Sequence, residues 1–140
     1  MKALSRELKF RAWNDYTERL YKWEDLENAG STNYIHEYFS NIKENGYHLM
    51  QFTGLLDNQN KEIYEGDLIK GVLRFPASEA FREVKGRIEW TVDSNECKFR
   101  VCESKKVKDY REDEEYFGMQ QFGDIEIIGN IYENPNLLTP

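Results

Sequence analysis

The run Val84–Val92, VKGRIEWTV, limits what this chain can fold into more than any other stretch. Val84, Ile88, Trp90 and Val92 fall in one phase, and Lys85, Arg87, Glu89 and Thr91 in the other. Successive side chains of an extended strand point to opposite faces, whereas a helix would scatter these apolar residues around its circumference. The pattern therefore predicts a strand with one buried face. A polar turn, Asp93-Ser94-Asn95-Glu96, follows, and Cys97, Phe99 and Val101 share the inward phase of a return strand. The two strands make an antiparallel hairpin, whose apolar face needs further strands to cover it.

Those strands are legible on both sides of the hairpin. Met50–Ile69 contains a strand-like run, an Asp57-Asn58-Gln59-Asn60 turn, a short apolar run at Ile63-Tyr64 and a Glu65-Gly66-Asp67 corner. Asn and Asp suit the turn because they tolerate left-handed backbone and bond nearby amides, and Gly66 supplies positive φ at the corner. Strands are predicted near 49–53, 68–75, 84–92, 97–102 and 125–132. In the last of these Ile125, Ile127 and Ile131 lie on one face and Ile128 and Tyr132 on the other. Leu8–Trp13 and Arg19–Trp23 read as an opening hairpin with Tyr21 and Trp23 on one face, and Glu24–Ser31 as a loop. Tyr34, Ile35, Tyr38, Phe39 and Ile42 then have the spacing of one helical face, placing a short helix over roughly 33–44. Tyr116–Phe122 has no clear pattern. The expected fold class is mainly β (α+β): a small antiparallel SH3-like or OB-like barrel or twisted sheet, with an N-terminal hairpin and one short helix. Residues 1–46 form a hairpin-plus-helix subdomain in this reading, and residues 47–140 the β core.

Charge narrows the function classes. The net charge is -7, and residues 109–140 carry Arg111 against eight acids, so the whole excess lies in that tail. Ser104–Lys108 is basic and Asp109–Glu115 acidic, and the two blocks face each other across an expected loop. No basic patch appears, which weighs against ordinary nucleic-acid binding. Cys97 and Cys102, at an odd separation on one strand, point to opposite faces and are expected as buried or half-buried free thiols in a reducing cytoplasm. No run approaches the roughly 18 apolar residues of a membrane span. A soluble, cytoplasmic protein is expected.

No catalytic or ligand constellation emerges. His36 and His48 are the only histidines, and nothing in the sequence brings them together. Glu62, Glu65 and Asp67 cluster at the corner, where Asp67 is placed to accept backbone amides instead of doing acid-base work. Enzymatic activity, a cofactor and a bound metal are therefore not expected. Asp109, Glu112, Asp113, Glu114 and Glu115 are the candidate partner contacts: a charge run of this kind is ordinarily a solvated loop, and the alternative is that its clustered carboxylates imitate the phosphates of a duplex and engage a basic host surface. A further alternative makes Trp13, Tyr21, Trp23, Tyr64 and Trp90 a stacking platform for single-stranded nucleic acid, against which the net acidity counts.

Three blocks carry a family likeness. They are Lys9-Phe10-Arg11-Ala12-Trp13, then Leu49–Leu55 continuing through Lys61–Ile69, and finally Glu126–Pro135, with Gly86–Trp90 as a weaker fourth. In content and order they resemble the YopX family of phage and prophage proteins across nearly the whole chain. Where that family usually carries Asn-Gly before Lys-Glu-Ile, this chain has Gln59-Asn60, so an Asn must take any left-handed position. The 24–46 and 109–117 segments have no counterpart in the family pattern. The resemblance implies a small protein of mobile genetic elements in the bacterial cytoplasm, associating with itself; the function expected from the whole reading is that of a non-enzymatic phage or prophage accessory protein working through contacts with itself and with a host or phage protein. The resemblance brings no established activity and no catalytic residues.

Overall fold

The computed structural model describes residues 7–27, 44–75, 78, 80–92, 97–106 and 112–138. The chain divides into two compact units, residues 1–54 and 55–140.

In the first unit, β1 (Phe10–Asn14) pairs antiparallel with β2 (Arg19–Tyr21) and with β3 (Tyr47–Leu56). Asn14, almost fully buried, organises the β1–β2 turn. Its side-chain oxygen accepts the Tyr16 and Thr17 amides, both at 2.9 Å, and its amide nitrogen donates to the Asn45 carbonyl at 3.0 Å. This is the local bond that makes Asn a turn former. The opening hairpin thus forms as expected, but its second strand is shorter than the sequence reading. Trp23 begins a helix, α1 (Trp23–Glu27), instead of ending β2. The Asp25 carboxylate accepts the Lys22 amide at 3.0 Å, and Leu26 N–H donates to the Lys22 carbonyl at 3.1 Å. A side chain reaching back from the first turn to the preceding amide is half of a capping box, and it outweighs the strand-like spacing of Tyr21 and Trp23. The helix expected over 33–44 lies outside the described residues.

The second unit begins with the end of β3. The chain turns at Asp57–Lys61, closed by Asp57 N–H to the Lys61 carbonyl at 2.8 Å, and returns as β4 (Glu62–Tyr64). Asn60 takes the left-handed position, with φ of 62°. At the next corner Gly66 has φ of 85°, and the buried Asp67 carboxylate accepts the Tyr64 amide at 2.8 Å, in the role its sequence position suggests.

From there β5 (Asp67–Arg74), β6 (Phe81–Val92), β7 (Cys97–Lys106), β8 (Glu112–Gly118) and β9 (Phe122–Asn130) build an antiparallel sheet in the order β8-β7-β6-β5-β9. Ile63, Ile69, Leu73, Val84, Ile88, Val101 and Met119 form its core, with Phe99, Phe117, Phe122, Ile125 and Ile127 packed around them. The mainly β, antiparallel character and the β6–β7 pairing follow the expectation; the register sets Ile88 opposite Val101 and Trp90 opposite Phe99.

Three readings change. Trp90 is 39% exposed and Val92 69%, and Cys97 is exposed as well, because β6 and β7 run beyond the core that covers the middle of their shared face. Phe75, at the end of the strand expected near 68–75, lies past the end of β5 and is half-exposed. Finally, the basic and acidic blocks do not flank a loop throughout: residues 104–106 and 112–114 pair as strands, with Lys105 opposite Asp113 and Lys106 opposite Glu112.

Candidate functional site

The two edges of the five-stranded sheet differ. Along β9 the Asp57–Lys61 turn occupies the outer side: Asn58 N–H donates to the Ile125 carbonyl at 2.8 Å, and Asp57 Oδ2 accepts the Ile127 amide at 3.3 Å. Asp57 Oδ1 meanwhile accepts the Gln59 and Lys61 amides, both at 2.8 Å. Burial alone would push this carboxyl up, but the amides of Lys61, Gln59 and Ile127 and the Lys61 charge together hold it below the ordinary carboxylate value. Beyond β8, by contrast, no other described strand pairs. An uncovered edge presents backbone donors and acceptors to any incoming strand.

β8 carries four of the five acidic residues singled out in the sequence: Glu112, Asp113, Glu114 and Glu115. Asp109 lies outside the described residues. Glu114 and Glu115 fall on opposite faces, and each meets an arginine of β6. On one face Arg87 binds Glu114 at 3.0 Å and Glu89 at 3.4 Å, while Arg100 binds Glu89 at 2.7 Å and lies 3.6 Å from the Tyr116 ring centroid. The Tyr116 hydroxyl donates to Glu114 at 2.6 Å, and this bond, followed by that from Arg87, holds the Glu114 carboxyl below its ordinary range. On the other face Arg82 spans Glu103 at 3.0 Å and Glu115 at 3.3 Å, with its guanidinium near the Phe117 ring. Two of the candidate carboxylates are thus partly neutralised within the sheet, which weakens a duplex-like charge array.

The sequence reading missed Arg82 and Arg87 as the groups that fasten β8. The available signal was Arg87 on the polar phase of the clearest strand, although its partner strand lay in an apparent loop. Cys102 sits beneath the Arg87 face with no exposure. Burial pushes its thiol up to about 11, with Arg87 opposing and Glu89 and Glu114 reinforcing the rise. Since the thiolate is the reactive form, a small disulfide reagent at about pH 8 should titrate the exposed Cys97 alone in native protein. Cys102 should react only in denaturant; two fast equivalents would contradict this placement.

The other candidates separate. His48 pairs with Asp15 at 2.6 Å in the first unit, and His36 lies outside the described residues. Glu62 accepts the Tyr64 hydroxyl at 2.9 Å. Among the described residues no group of three or more His, Cys, Asp and Glu side chains could hold a metal ion. Trp13 and Tyr21 occupy opposite faces of the β1–β2 pair, since Trp13 is opposite Leu20 and Tyr21 opposite Ala12. Trp23 packs on Phe10 and Trp90 on Phe99, while Tyr64 is largely buried. The five aromatics therefore do not form a single stacking surface. No described helix is long and apolar enough to cross a membrane.

Fold and site together define a mainly β, antiparallel protein whose larger sheet has one edge covered by its own turn and one acidic edge. The sequence profile of the YopX protein family matches residues 9–139, and the chain belongs to that family. Its fold is similar to the crystal structure of protein EF1440 from Enterococcus faecalis. The two share 27% sequence identity over 96% of this chain and 99% of that chain, with a TM-score of 0.54. No curated protein matches the chain.

Proposed function

We propose that this YopX-family chain is a phage or prophage accessory protein of the bacterial cytoplasm, working as a non-enzymatic protein-interaction module whose contact element is β8. The observation that carries the reading is the contrast between the covered β9 edge and the β8 edge, where no described strand follows. Adding a strand to an open edge gives affinity through backbone hydrogen bonds, with side chains setting specificity. The consecutive acids Glu112–Glu115, although Glu114 and Glu115 are partly offset by Arg87 and Arg82, favour a partner segment rich in Lys and Arg. They also oppose pairing of two copies edge to edge through β8, because like charges would face one another. Self-association of the protein therefore uses a different surface.

A Glu112→Lys/Asp113→Lys variant tests this in pull-downs from host lysate at increasing salt, with light scattering alongside. Wild type should capture a basic partner at low salt and release it as screening rises. The variant should bind that partner at least about tenfold more weakly, with unchanged self-association. Undiminished capture by the variant, retention at high salt, or no captured partner at all would each overturn the proposal.

A further inference from the structure

A separate groove opens where β5, β6 and β9 meet, away from the β8 edge in strand order. It has a volume of about 530 Å³, within the range of ligand pockets. Among the described residues, Val72, Ala80, Phe75 and Phe81 supply its apolar walls, and Arg74 and Asp124, both exposed, are the charged groups. Phe81 is 75% exposed and Phe75 43%, so two aromatic rings are left facing water around one cation and one anion.

Both charges are placed by backbone features. A Cβ at Gly123 would lie 2.4 Å from Arg74 Nε and 2.7 Å from its Cζ, so only a glycine lets this guanidinium rest against the β9 backbone. The β5–β9 register steps from Gly71 opposite Ile125 to Leu73 opposite Phe122, two residues against three. The resulting bulge falls at Gly123-Asp124, and a bulge redirects the side chains it carries. Neither Arg74 nor Asp124 pairs with another described side chain.

We propose that this groove binds a free α-amino acid with an apolar side chain, its carboxylate on Arg74, its ammonium on Asp124 and its side chain against Phe75 and Phe81. An apolar acid without an amine would bring a like charge near Asp124 and make no bond to it, and an apolar amine would do the same at Arg74. A zwitterion with an apolar group answers both charges and the walls between them. The site is independent of the β8 reading, since it shares no residue with that edge.

Calorimetric titration of the full chain with L-phenylalanine and L-leucine tests the assignment, with phenylalaninamide and 3-phenylpropanoate as ligands lacking one charge each. The zwitterions should bind saturably, and each comparator about tenfold or more weakly. Arg74→Ala and Asp124→Asn, with folding checked by circular dichroism, should cause losses of the same order, and Glu112→Lys/Asp113→Lys should cause none. Absence of binding at about 10 mM ligand, equal binding of the comparators to wild type, or undiminished binding by both folded variants would overturn the assignment.

Discussion

Asp57→Ala should destabilise the 55–140 unit by about 3 kcal/mol, measured as a lower urea midpoint with an unchanged slope. The size follows from what the carboxylate holds. It accepts the Gln59 and Lys61 amides inside its own turn and the Ile127 amide across on β9. Alanine would leave these partly buried amides without an acceptor and loosen the turn that covers the β9 edge. Asp57→Asn keeps the shape but not the charge, and should lose roughly half as much. The pH dependence separates charge from shape. Because the folded carboxyl titrates below its unfolded value, its contribution is complete above about pH 4, the unfolded pKa, and disappears as the pH falls through the folded value. The stability gap between wild type and Asp57→Asn should therefore narrow in acid. A gap that stayed constant from neutral pH down to about pH 2 would show that the charge is not what the amides stabilise.

Gly86→Ala should cost about 3 kcal/mol, or roughly 10 °C in Tm, although it adds one methyl group. Gly86 is buried in β6, and a Cβ there would lie 2.6 Å from the Cys102 carbonyl oxygen and 2.7 Å from Val101 Cγ1. A backbone oxygen cannot swing aside as a flexible side chain can. The methyl would push β7 away from β6 beside the Arg87–Cys102 register pair and weaken the arginine bonds that fasten β8. Gly54 is the control. With φ of 87° and no atom within 4 Å of its would-be Cβ, Gly54→Ala meets only conformational strain and should cost about 1 kcal/mol. Equal losses at the two glycines would mean that β6 and β7 approach less closely than the structure shows.

The family-like stretches 61–69, 86–90 and 126–135 meet in the second unit. Gly66 N–H donates to the Ile88 carbonyl at 2.8 Å, and the Gly66 carbonyl accepts the Ile131 amide at 2.9 Å, joining the Glu65-Gly66-Asp67 corner, the weaker Gly86–Trp90 block and the end of the chain. Asn130 continues the same logic, its side-chain oxygen accepting the Tyr132 and Glu133 amides. The likeness thus runs over core strands and the corners that join them, which is why those blocks disclosed the fold without disclosing an activity.

Local sequence sufficed wherever a structure is held by bonds within a few residues or by a phase set against one core. The Asp57–Asn60 turn, the Asp67 corner, the opening hairpin and the alternation of β6 are all of that kind. What it could not specify was decided at long range. β8 is a run of acids with poor strand propensity, and it becomes a strand because β7 supplies its hydrogen-bond ladder and Arg82 and Arg87, 33 and 27 residues away, supply its counter-charges. Trp90, Val92 and Cys97 carry the inward phase yet meet water, because phase says which face a side chain takes and not how far the core beneath that face extends. The covered β9 edge, the acidic β8 edge and the Arg74–Asp124 groove likewise exist only once distant strands are neighbours, since an edge or a groove is a property of the assembled sheet.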